Sequence, residues 1–115
     1  MFGKPADHPA TSALPQHGFA RTSRWEFLGK STTESNDKEG GGDNGVKLDF
    51  GLGPENLSAE ARAAWKGDFG LIYSVTLAKG GLRTSILVRN EGESAWEFQV
   101  LMHTYLRVKV SGTGP

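Results

Sequence analysis

The stretch DFGLIYSVTLAKGGLRTSILVRN, residues 68–90, carries the pattern from which the fold is read. Phe69, Leu71, Tyr73, Val75 and Leu77 alternate with Gly70, Ile72, Ser74 and Thr76. A period of two places these sets on opposite faces of a β-strand. AKGG then supplies a hairpin turn into a second strand, LRTSILVRN. EGES turns the chain again, into FQVLMHTYLRV over residues 98–108. There Phe98, Val100, Met102, Thr104, Leu106 and Val108 form a mostly apolar face. Gln99, Leu101, His103, Tyr105 and Arg107 form the other. Three strands joined by tight turns predict an antiparallel meander whose apolar face needs a second layer.

Upstream, VKLDFGL repeats the alternation, with Val46, Leu48, Phe50 and Leu52 against Lys47 and Asp49. SRWEFLG is a shorter strand candidate. Between them KSTTESNDKEGGGDNG has no apolar face to bury, which predicts a flexible polar loop over 31–45. LSAEARAAW is the one helical segment, about two turns long, with Ser58 placed to cap it and Gly67 following it. Residues 1–15, rich in proline and small polar residues, read as an extended loop. The expected class is all-β, an antiparallel β-sandwich with one short helix, in a single partial domain over 1–115.

Composition narrows the function. Thirteen Lys and Arg balance thirteen Asp and Glu, so no overall field favours nucleic acid, a membrane or an acidic partner. There is no cysteine, hence no disulfide and no thiolate metal site. The N-terminus lacks the basic segment and apolar run of a signal peptide, and no apolar run approaches the ~20 residues that span a bilayer. A soluble, cytoplasmic protein is expected.

Most motifs fail inspection. LGKSTT has Arg24 where a phosphate-binding loop needs glycine, and GLGPEN ends in Asn56 where a dinucleotide fingerprint needs glycine. Asn56-Leu57-Ser58 is a formal glycosylation sequon without a secretory context. His8, His17 and His103 lack metal-ligand spacing, so neither metal nor cofactor is expected. Two features remain. QHGFARTSR gathers Gln16, His17, Arg21 and Arg24 within nine residues, readable as a solvated loop or as part of a binding site. His103 is readable as a satisfied histidine on a half-buried strand. It shares its strand face with Gln99, Tyr105 and Arg107, a polar grouping suited to a sugar site. Imidazole, with a reference pKa of ~6.5, can work as acid or base near neutrality.

LPQHGFARTSRWEFLG, VKLDFGLGPENLSAEARAAW, DFGLIYSVTL and WEFQVLMHTYLRV together resemble one family. It is the glucose-6-phosphate 1-epimerases, or hexose-6-phosphate mutarotases, of the aldose 1-epimerase group with the galactose mutarotase-like fold. The resemblance implies a β-supersandwich that binds a hexose 6-phosphate and interconverts its α and β anomers through the open-chain aldehyde. It implies that His103 exchanges a proton with the ring oxygen and that Gln16 and Arg21 bind substrate, Arg21 suiting the phosphate. His17 is a weaker candidate for orienting a hydroxyl, and Trp25 and Trp96 are expected in the core.

The resemblance also implies a longer protein, with its catalytic glutamate beyond the HTYL strand, so the chain is expected to be a partial member with impaired catalysis. Glu97, six residues from His103, would lie about 20 Å away along a strand and cannot replace that base. The alternative expectation is a non-catalytic sugar-phosphate-binding module. A third is a fragment that self-associates through its uncovered sheet.

Overall fold

The computed structural model describes residues 11–33 and 45–112. Four strands, β1 (Glu26–Thr33), β2 (Gly45–Leu52), β3 (Phe69–Ala78) and β4 (Gly81–Asn90), form one sheet in the order β1-β2-β3-β4. Every neighbouring pair is antiparallel. Register follows the alternation in the sequence. Tyr73 lies between Phe50 and Ile86, and Leu71 between Leu52 and Val88, which puts all six on one face. On the other face Ser74 lies between Asp49 and Ser85, and its hydroxyl donates to Asp49 Oδ1 at 2.5 Å.

The β1–β2 ladder slips between Phe27 and Gly29. Gly29 sits at φ 153°, a conformation that glycine adopts without the Cβ penalty of other residues, and the slip is a β-bulge. A short 3-10 turn (Pro54–Asn56) leads to helix α1 (Ala59–Ala64). Ser58 caps α1 as expected, its Oγ accepting from Ala61 N at 3.1 Å. The sequon thereby has a structural explanation, since Asn56 Oδ1 accepts from Gly53 N at 2.8 Å.

The core lies at one end of the sheet. Leu52, Trp65 and Phe69 are buried, and Phe19 packs on Trp65 and Phe69 with ring centroids 6.2 and 5.2 Å apart. At the other end Leu77 and Leu82 are 62% and 64% exposed. Trp25 and Trp96 are half-buried and pack against the core. Residues 11–23 form successive turns, closed by Gly18 N to Pro15 O at 2.9 Å and Ser23 N to Phe19 O at 3.1 Å.

Among the described residues the fold is mostly β, one four-stranded antiparallel sheet with one short helix, and a second layer of strands is not among them. Two expectations are corrected. The expected strand over 98–108 is not part of the sheet: residues 95–112 carry neither helix nor strand. A strand is completed by a ladder partner, and β4 ends the sheet on that side. The polar loop is narrower than 31–45, because Ser31, Thr32 and Thr33 pair with Lys47, Val46 and Gly45. Its remainder, and the first ten residues of the loop expected over 1–15, lie outside the described residues.

Candidate functional site

The alternation that builds the sheet also builds the floor of a cleft. Phe50, Leu71, Tyr73, Ile86 and Val88 present their side chains to it from the apolar face. One wall comes from the turns ahead of β1, including His17, Arg21 and Trp25. The other comes from residues 96–104. The space enclosed is about 600 Å³, within the range of small-molecule sites.

The first wall is pinned to the floor by Trp25. Its indole lies edge-on to Tyr73 with centroids 6.2 Å apart, while Nε1 donates to Ala20 O at 2.8 Å. That bond ties the strand entrance back onto the preceding turns and brings His17 and Arg21 over the sheet. His17 itself has φ 69°, the left-handed region in which a non-glycine residue is uncommon. Such a residue costs about 1–3 kcal/mol, and residues of this kind cluster at functional sites.

His103 is brought to His17 from a part of the chain distant in sequence. The two imidazoles are edge-to-face, with centroids 5.5 Å apart, and Tyr105 packs on His103 at 5.0 Å. His17 and His103 are both half-buried, whereas Arg21 is exposed at the rim. The structure therefore gathers three of the residues singled out in the sequence, His17, Arg21 and His103, around one cleft. Gln16 is exposed and does not line it, although its neighbour His17 does. Gln99 and Thr104 add polar groups to the same wall.

Chemically, two imidazoles supply proton donors and acceptors, and a guanidinium supplies a positive charge at the mouth. The described lining contains no aspartate or glutamate, and Glu97 is not part of it. No group of three or more potential metal ligands occurs among the described residues. Trp96 packs against the core as expected, and Trp65, expected at the end of the helix, is its C-cap and a core residue; both also line the cleft wall, edge-to-face at 5.3 Å. Their indole N–H groups are buried without an acceptor. Period-two reasoning could not find this pair, because neither residue lies in a strand.

The family model described as Aldose 1-epimerase matches residues 1–114 of the chain.

Proposed function

The chain belongs to the aldose 1-epimerase family, whose members are isomerases that act as sugar mutarotases, and we propose that its substrate is a hexose 6-phosphate. The observation that carries this reading is the juxtaposition of His103 and His17 in one cleft with Arg21 at its mouth. Mutarotation requires a proton to reach the ring oxygen as the C1 hydroxyl loses one. In this reading His103 holds and transfers the ring-oxygen proton, and His17 orients a hydroxyl. Arg21 pairs with the phosphate, where a planar fork of donors matches the oxygens of an anion. Gln16, beside His17 but outside the cleft lining, belongs to the same proposed binding group. Ring opening also needs a base at C1. The described lining supplies no carboxylate for that role, and catalysis by the chain on its own is therefore expected to be weak.

The same lining favours a second reading, a sugar-phosphate-binding module that does not open the ring. NMR exchange spectroscopy between α- and β-glucose 6-phosphate separates the two. Exchange accelerated by the chain and lost in His103→Ala supports the mutarotase. Binding without acceleration supports the module, and absence of binding by the folded chain removes both.

The exposed apolar residues of the open sheet end and of residues 98–110 support self-association as a further part of this proposal. Sedimentation velocity should show the sedimentation coefficient rising with protein concentration; a constant monomer value would eliminate it.

A further inference from the structure

The turn between α1 and β3 is held from two sides. From the helix, Arg62 Nη2 donates to Asp68 Oδ1 at 2.8 Å, while Nη1 donates to Gly67 O at 2.9 Å and Trp65 O at 3.5 Å. From the far end of β4, Glu91 N donates to Asp68 O at 3.1 Å. One guanidinium thus closes the turn from Arg62 to Asp68 around the most buried tryptophan, Trp65, at 6% exposure. Trp65 meets Trp96 edge-to-face at 5.3 Å, and Trp96 meets Phe98 at 5.5 Å. Gly67 is wedged between the two indoles. A Cβ there would lie 3.3 Å from Trp65 Nε1 and 3.2 Å from Trp96 Cδ1.

This arrangement leaves both indole N–H groups buried without an acceptor. Unpaired buried donors are unfavourable and persist where the surroundings over-determine them. A loosened turn would let Trp65 rotate its N–H towards water or a carbonyl. The Arg62 fork opposes this by binding two carbonyls and a carboxylate of the same turn.

We infer that Arg62 is a positioning residue for the cleft. It fixes the 65–68 turn, the turn fixes the Trp65–Trp96 pair, and that pair sets where the segment bearing His103 leaves the core. The part concerning His103 rests on the sugar-phosphate reading above; the part concerning the tryptophan pair does not. Arginine suits this role better than lysine, because its rigid planar fork sends one nitrogen to the carbonyls and the other to the carboxylate, whereas a lysine offers a single nitrogen on a flexible stem.

The test compares the whole chain with Arg62→Ala, Arg62→Lys and the milder Asp68→Asn. The readouts are the nuclear Overhauser contact between the Trp65 and Trp96 indoles and the affinity for glucose 6-phosphate. With far-UV circular dichroism unchanged, Arg62→Ala and Arg62→Lys should lose the indole contact and weaken binding by about tenfold, the scale of one charge-assisted hydrogen bond. Asp68→Asn should show the same changes at smaller size, and it serves as the test if Arg62→Ala does not fold. Retention of the indole contact in the variants overturns the inference. Loss of the contact with unchanged binding overturns its extension to His103. If the unaltered chain binds no glucose 6-phosphate, the substrate reading fails, and the indole contact alone decides the role of Arg62.

Discussion

Residues 69–90 and residues 96–110 look alike in sequence and differ in structure. Both alternate apolar and polar side chains, and both are rich in β-branched and aromatic residues. The first becomes strands β3 and β4, paired with each other along their whole length and, through β3, with β2. The second joins no strand. The difference lies in what each can reach. AKGG returns the chain directly onto β3, so pairing requires closure of a very short loop. Glu91 to Ser94 instead bend the chain, with Asn90 Nδ2 donating to Ser94 O at 2.8 Å and Oδ1 accepting from Gly92 N at 2.9 Å. Beyond that bend Trp96 is drawn to Trp65 and His103 to His17, so the segment follows side-chain contacts over the cleft. Alternation states what a segment could bury; a ladder partner determines whether it becomes a strand.

The sharpest way to break this comparison is to cut side chains from each region. Phe69 is 2% exposed and packs against Phe19, so Phe69→Ala should cost about 3–5 kcal/mol. Val108 is 71% exposed, and Val108→Ala should change stability by no more than about 0.5 kcal/mol. Urea denaturation of the two variants measures both. A cost at Val108 approaching that at Phe69 would show that the segment is packed in solution, and the contrast would collapse.

What the sequence made legible follows the same division. Strand identity and facing in β2, β3 and β4 could be read because each has its neighbour nearby and a clean period of two. The cap on α1 could be read because Ser58 and the helix it serves are adjacent. What covers the sheet could not, since alternation shows that a face is apolar without showing its partner. At the cleft, His17, Arg21 and His103 were singled out in the sequence, and their gathering around one cleft is a matter of tertiary structure. Gln16 was singled out with them, yet the turn closed by Gly18 N to Pro15 O leaves it outside the lining. The Trp65–Trp96 pair joins a helix end to an unpaired segment, and no local pattern encodes such a contact.

The cleft is where the two regions meet, and Arg21 sharpens the question of what it holds. If the guanidinium binds phosphate, Arg21→Ala should weaken glucose 6-phosphate by about 1.5–3 kcal/mol and leave glucose nearly unaffected. Calorimetric titration with both sugars gives the difference directly. Equal losses would mean that Arg21 shapes the first wall without contacting an anion. The sheet should be indifferent to this substitution, because Arg21 is exposed and lies outside every strand.

The smallest effect is expected at Ser58, whose hydroxyl satisfies one donor at the start of a six-residue helix. Removing such a cap costs about 0.5–2 kcal/mol, and α1 is exposed enough to place Ser58→Ala in the lower half of that range. The position matters more than the magnitude. α1 carries Arg62, and its last turn leads into Trp65, so fraying from the N-terminus weakens the connection between the paired sheet and the segment over the cleft. Hydrogen exchange can resolve the two regions separately. In Ser58→Ala the amides of α1 should exchange faster while those of β3 remain as protected as before. If protection in β3 falls equally, the helix and the sheet open as one unit. The boundary between the two regions would then lie at residue 95 and not at the helix.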